Sequence, residues 1–388
     1  MIPAFEKTPR SAALRIALGA LAGALAAAGR GGQGRDPPPG GPFVHALRVH
    51  DEAGEFRSGR AAGGSVEERP PAVVLRPAAG EGTAWYESGA IEAPFPFREA
   101  LISWNADVPE GAGISVELRV GRASGGSWSP YLYAGDWGEV PEGIERRERA
   151  DEGRIDVDYF RSEAEYDLFQ YRIRAHRRPE ARVAVRIRRV AVVLTGRTAA
   201  ASPGASLEPE EGDPPGAAWK RVLDVPARSQ KVEAPEIARR ICSPTCVAMA
   251  LEYRGVRRPT REVAERAYDP RHGIYGNWPR AIQAAYTYGV PGYLARFSTL
   301  REARREIARG QPLVISIRAA KGELRGAPYE ATDGHLLVLV GFDEAGDVVV
   351  NDPAAPAAEG CRRTYAASEI EKVWLGRGGT AYVFLPRG

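Results

Sequence analysis

Residues 241–253, ICSPTCVAMALEY, open on a thiol and a proline and continue as an almost unbroken apolar run. Proline is favoured in the first turn of a helix, where its missing N–H would have had no acceptor anyway. Pro244 therefore marks a helix start, and Ser243 to Tyr253 reads as a buried helix. Cys242 then lies at the positive end of the helix dipole, where a thiol gives up its proton more readily and the reactive thiolate is favoured. Cys246, one turn further in among Val247, Ala248, Met249 and Leu251, reads as a structural thiol.

Working outward, three amphipathic helices follow: Thr260 to Tyr268 with Thr260 as N-cap and Glu262 in its first turn, Pro279 to Tyr288, and Leu300 to Ala308. Strands are predicted at Leu313 to Arg318, His335 to Phe342, Val348 to Asn351 and Ala381 to Leu385. Helices first and an antiparallel sheet second make an α+β domain. Of the five histidines, His45, His50 and His176 fall in a different part of the chain, and His272 sits in a loop with no strand to fix it. His335 opens an apolar strand, which places it well to meet a thiol at a helix N-terminus. The strand, turn and strand from His335 to Asp352 form a hairpin that returns both residues to one end of the sheet. A carboxylate there can accept from imidazole Nδ1 and leave Nε2 facing the thiol. Gln230, twelve residues before Cys242, is a candidate oxyanion donor together with the backbone N–H of the nucleophile.

The ordered set Gln230, Cys242-Ser243-Pro244-Thr245, Gly334-His335 with its apolar strand, and Asn351-Asp352-Pro353 resembles the bacteriocin-processing cysteine peptidases, family C39, in their stand-alone exported branch. Tyr275-Gly276-Asn277-Trp278-Pro279 adds to the likeness, which covers about 220–388. The resemblance implies a papain-like fold, a Cys242/His335/Asp352 triad with Gln230 in the oxyanion hole, and hydrolysis of peptide bonds. Ser243 departs from the glycine that usually follows the nucleophile and predicts crowding of the site. No transporter shares the chain, so leader removal during export is not the expected task. An amide hydrolase or acyltransferase would use the same triad, and an exported non-catalytic binding protein of glycan or protein partners is the reading from another class.

The rest of the chain predicts a second domain. Residues 42–196 alternate apolar and polar positions in short runs separated by turn clusters, an all-β pattern that suggests a sandwich or jelly roll. Its aromatics Trp85, Tyr86, Trp104, Trp128, Tyr131, Tyr133 and Trp137 read either as core and strand-pairing residues or as a surface for glycan or cell-wall contact. Residues 197–217 read as an interdomain linker, and 218–388 as the peptidase domain. Lys7, Arg10 and Arg15 precede the apolar run Ile16 to Ala28, which ends in small residues; 1–28 reads as a signal peptide and 29–41 as a disordered tract. Export to the cell envelope or beyond is expected, with no membrane attachment after cleavage.

The 388 residues carry 53 basic and 50 acidic side chains, a net charge of +3, which gives no basis for a nucleic-acid partner. The Cys and His spacings fit no zinc pattern, and no cofactor is predicted. Three cysteines leave at least one thiol free; with Cys242 free, Cys246 and Cys361 remain as a possible pair.

Overall fold

The computed structural model describes residues 42–77, 84–197 and 218–387. The predicted signal peptide (1–28), the tract 29–41 and all but the first residue of the linker (197–217) lie outside the described residues.

The N-terminal region is built from strands. In chain order they are β1 (Phe43–His50), β2 (Arg60–Ala62), β3 (Gly64–Glu68), β4 (Pro71–Leu75), β5 (Ala84–Glu87), β6 (Ile91–Asp107), β7 (Ala112–Gly121), β8 (Leu132–Gly138), β9 (Arg149–Ala150), β10 (Gly153–Asp156), β11 (Tyr159–Arg177) and β12 (Val185–Arg197). All pairings are antiparallel. The two long strands organise the rest. β6 pairs with β11 through its first half and with β12 through its second, while β11 turns from β6 to β7 and β5. Register shifts along both strands supply the bends that such a change of partner needs.

Three local features escaped the sequence reading. A five-residue helix, α1 (Ala53–Arg57), is stabilised by a capping box between Glu52 and Glu55. The run Ile155 to Phe160 is not one strand, because a turn at Val157-Asp158 separates β10 from β11. Strands β2, β3, β5, β8 and β9 are too short or too irregular to show an alternating pattern. Of the seven aromatics, Tyr86, Trp104, Tyr133 and Trp137 are buried. The other three are covered by guanidinium groups: Arg60 over Trp85, Arg119 over Trp128, and Arg119 and Arg172 over Tyr131, the last at 4.0 Å. These ring faces are occupied by cations.

The C-terminal region contains α2 (Cys242–Tyr253), α3 (Thr260–Ala267), α4 (Trp278–Thr287), β13 (Gly292–Arg296), α5 (Leu300–Ala308), β14 (Leu313–Ala319), β15 (Thr332–Phe342), β16 (Val348–Asn351), β17 (Arg362–Tyr365), α6 (Ala367–Val373) and β18 (Thr380–Phe384). The six strands form an antiparallel sheet in the order β13-β18-β14-β15-β16-β17. Helix α2 is buried from Ser243 to Leu251, as a helix apolar on every side must be. Thr260 is not the N-cap of α3. Pro259 holds that position, and the Thr260 hydroxyl accepts from Arg228 at 3.4 Å.

The two regions share a continuous interface along β13, an edge strand of the second sheet. An unpaired strand edge is a row of unsatisfied backbone groups. Here side chains of β6 satisfy it: Gly292 N–H donates to Asn105 Oδ1 at 3.1 Å, and Leu294 N–H to Ser103 Oγ at 3.1 Å. Gln283 on α4 repeats the device. Its amide both donates to Ala106 O at 2.7 Å and accepts from Ala106 N–H at 2.9 Å, fully buried. Leu101 and Val193 of the first region join the core of the second, and Ala267 and Ala284 join the core of the first. Replacing Gln283 by Leu strands both backbone groups of Ala106 in a dry interface. The expected loss is on the order of 1–3 kcal/mol for each group, read as a lower urea midpoint at unchanged slope.

Candidate active site

The strand β15 and the helix α2 face each other, and this contact brings the predicted residues together. Cys242 is the first residue of α2 and is partly exposed. His335 is buried on β15, opposite Ile317 of β14. Asp352 follows the last residue of β16 and is fully buried. The hairpin between β15 and β16 therefore delivers the imidazole and the carboxylate to the same end of the sheet, as the sequence predicts.

The ring is oriented opposite to the expectation. His335 Nε2, not Nδ1, contacts Asp352 Oδ1, at 2.8 Å. The thiol of Cys242 is also a hydrogen-bond partner of His335, and Nδ1 is the ring nitrogen left to meet it. Asp352 lies just past the end of β16, and its Oδ1 takes the outer ring nitrogen, leaving the one nearer the backbone uncommitted to the carboxylate. A carboxylate on either nitrogen fixes the tautomer and leaves the other free for proton transfer.

Electrostatics favour an ion pair. Burial alone would raise the Cys242 pKa, but the hydrogen bond and charge of His335, with the backbone N–H groups of Leu336 and Ser243, bring it below its ordinary value. Burial works against the imidazolium too, yet the bonds to Asp352 and Cys242 push His335 up to about 9. Asp352 is held below the usual carboxylate range, against its burial, by His335 and the Ala354 N–H, which donates at 2.9 Å. The Tyr365 hydroxyl donates to its other oxygen at 3.3 Å. Tyr329 stacks edge-on against His335, with ring centroids 5.0 Å apart, and shields the pair from one side.

Gln230 is buried and begins a single helical turn. Its N–H donates to Pro353 O at 2.9 Å, next to Asp352, and its Nε2 donates to Ala238 O at 2.7 Å, in the segment leading to Cys242. Among the described residues its second amide hydrogen has no acceptor, and its Oε1 is buried without a partner. The first N–H groups of α2, that of Cys242 among them, have no intrahelical acceptor.

Three expectations are corrected. Ser243 does not crowd the site: it is fully buried, and its Oγ pairs with the Tyr382 hydroxyl at 3.0 Å on β18. Cys246 and Cys361 do not pair. Both thiols are free and buried, contacting Leu336 O and Ala357 O respectively. His272 is fixed after all, by Asp269 at 2.8 Å rather than by a strand. One residue escaped the sequence reading entirely. Asp158, in the turn after β10, is buried against the second region and accepts from Trp278 N–H at 2.9 Å. Burial pushes its carboxyl up to about 7 despite that bond. No periodicity or motif marks it. Among the described residues no group of three or more His, Cys, Asp or Glu is arranged to hold a metal ion.

The three thiols should differ sharply in reactivity. Burial holds Cys246 well above its ordinary value and Cys361 up to about 11. Iodoacetamide at pH 6 is expected to label Cys242 alone. In His335→Ala the hydrogen bond and charge that do most to counter burial at Cys242 are lost, leaving only the backbone N–H groups of Leu336 and Ser243, and labelling at pH 6 should fall by about tenfold or more, measured by mass spectrometry.

Residues 222–382 match the family described as Peptidase_C39 like, and residues 46–195 match the Peptidase C39 N-terminal domain. No curated protein matches the chain. Among solved structures, one described as a C39-like peptidase from Bacillus anthracis aligns at 20% identity over 43% of this chain and 98% of its own, with a TM-score of 0.33. A double-glycine-motif protease from an AMS/PCAT transporter, solved with its leader peptide, aligns at 20% identity over 42% of this chain and 94% of its own, with a TM-score of 0.28. Xylellain, a cysteine protease from Xylella fastidiosa, aligns at 11% identity over 47% of this chain and 91% of its own, with a TM-score of 0.29. Both halves of the described chain thus match models of one family, and the protein belongs to the C39-like cysteine peptidases, with their N-terminal domain preceding the peptidase domain.

Proposed function

We propose that the chain is an exported cysteine peptidase that hydrolyses peptide bonds with Cys242 as nucleophile, His335 as acid and base, Asp352 as the group that orients His335, and Gln230 as oxyanion donor. The observation that carries this reading is the unbroken line of contacts from Asp352 through His335 to a thiol at a helix N-terminus. On this reading the peptidase domain, 218–388, is a papain-like α+β fold. Residues 42–196 form a β-sandwich accessory domain, and residues 1–28 direct export.

The reaction follows from the charges. The thiolate of Cys242 attacks the substrate carbonyl carbon, and the negative charge moves to the carbonyl oxygen. The free amide hydrogen of Gln230 and the Cys242 N–H receive that oxygen. The C–N bond then breaks, and His335 gives its proton to the leaving amine. A water enters, His335 removes its proton, and hydroxide displaces the thiolate from the acyl group, which leaves as a carboxylic acid.

The test is incubation of the purified full chain with a complex peptide mixture, read by mass spectrometry, with and without an added amine. New termini that vanish in Cys242→Ala support hydrolysis, whereas amine adducts in place of free acids point to acyl transfer. Gln230→Ala is expected to lower kcat by about a hundredfold or more. The rate should also fall as pH rises through about 9, because His335 there loses the proton that the leaving amine needs.

A further inference from the structure

Asp352 is fully enclosed, and enclosure costs a carboxylate its charge unless donors replace the lost water. Its rotation is a second difficulty. The terminal torsion of an aspartate has a broad, two-fold preference, so the backbone alone does not decide which oxygen meets a neighbour. Here Oδ1 is committed twice, to His335 Nε2 at 2.8 Å and to the Ala354 N–H at 2.9 Å. Oδ2 is met by the Tyr365 hydroxyl at 3.3 Å. The three donors together set the plane of the carboxyl group.

Tyr365 is thirteen residues past Asp352 and ends β17, the outermost strand of the second sheet. That strand is fastened to the segment that carries the carboxylate. Asp352 N–H donates to Cys361 O at 2.8 Å, and Arg362 Nε donates to Asn351 Oδ1 at 2.6 Å. The Arg362 guanidinium and the Asn351 amide both donate to Val225 O. The phenol therefore reaches Asp352 from a fixed backbone, with its ring buried in the same core as α2 and β15. Burial, and then the charge of Asp352, hold the hydroxyl above its ordinary pKa, so it keeps its proton and serves the carboxylate as a donor. The Tyr329 phenol is a weaker neighbour. It acts on the Asp352 charge but meets no acceptor with hydrogen-bond geometry among the described residues.

We propose that Tyr365 is a positioning residue for the reaction at Cys242. Its hydroxyl holds Oδ2 of Asp352, which keeps Oδ1 on His335 Nε2 and leaves the other ring nitrogen turned to the thiol. The hydrogen bond of Tyr365 goes to neither the thiol nor the imidazole, so it acts through Asp352. This rests on the peptidase reading above. Removing the hydroxyl strands Oδ2 in a dry site, and the carboxylate is then free to turn away from His335. Burial opposes the imidazolium, and the bonds to Asp352 and Cys242 are what raise His335 to about 9, so a loosened Asp352 lets that value fall. The proton needed by the leaving amine is then lost at lower pH, and less of Cys242 is thiolate at pH 6.

The experiment compares the full chain with Tyr365→Phe, which keeps the buried ring, and places the same change in Asp352→Asn. The kcat and KM on a cleaved peptide, the pH profile, the iodoacetamide labelling rate of Cys242 at pH 6 and the melting temperature are measured for each. Tyr365→Phe is expected to lower kcat by about tenfold with KM little changed, to move the alkaline limb to lower pH and to slow labelling several-fold. In Asp352→Asn the same change should alter labelling by about twofold or less, because the group it acts through is already lost. A lower melting temperature with the limb and the labelling unchanged would mean packing only and overturns the proposal, as does an equal loss in both backgrounds. If Tyr365→Phe does not fold, Tyr365→Met fills the space with a flexible apolar chain and takes its place. Wild-type protein that labels at Cys242 but cleaves no peptide defeats the peptidase reading itself, whereas an active enzyme indifferent to Tyr365→Phe defeats only the role of Tyr365.

Discussion

The hydrogen bond between His335 Nε2 and Asp352 Oδ1 closes one hairpin on itself and makes a charged imidazole tolerable inside the protein. A buried cation without partners would lose its proton. His335 has a carboxylate on one side and a thiol on the other, and together they outweigh its burial. The strand order follows the same need. β15 lies inside the sheet, paired on both edges, so its backbone cannot shift to relieve the ring. Helix α2 packs across β15 and sets the thiol against it. Asp352 in turn is held by Ala354, Tyr365 and the bonds that tie Gln230 to Pro353. The site is rigid because each member is also part of the packing.

The second constraint is the edge of β13. A six-stranded sheet with an exposed edge invites pairing with another chain. In this protein β6 of the N-terminal domain covers that edge with side chains rather than with another strand. Ser103, Asn105 and the reciprocal Gln283–Ala106 bonds satisfy backbone groups that no strand reaches. The two domains consequently share core residues, and the acids that hold the loop 269–280 come from the N-terminal one. A domain joined this way stabilises its neighbour through shared packing.

Much of the peptidase domain was legible in the chain. Helix α2 is apolar on every side, α3 and α5 are amphipathic, and β14 and β15 are long apolar runs. Each is a local pattern with a local cause. The positions of Cys242, His335 and Asp352 followed from a helix start and a hairpin, both encoded within a few residues. β13 and β17 did not show, because they are short and become strands only through their partners. The long strands β6 and β11 were read as fragments because bulges break their alternation, and the turn at Val157-Asp158 was read through as strand.

The sequence by itself determined the thiol at a helix N-terminus, the hairpin that returns His335 and Asp352 to one end of a sheet, and the division into a β-rich and a mixed region. Only the tertiary structure decided which ring nitrogen faces the carboxylate, that Ser243 points into the core, that Cys246 and Cys361 stay apart, and that Asp158 reaches the loop before α4. Backbone propensity and periodicity act over a few residues and are written in the chain. Ring orientation, thiol separation and contacts between residues more than a hundred positions apart depend on how the two cores close together, and no local pattern records that.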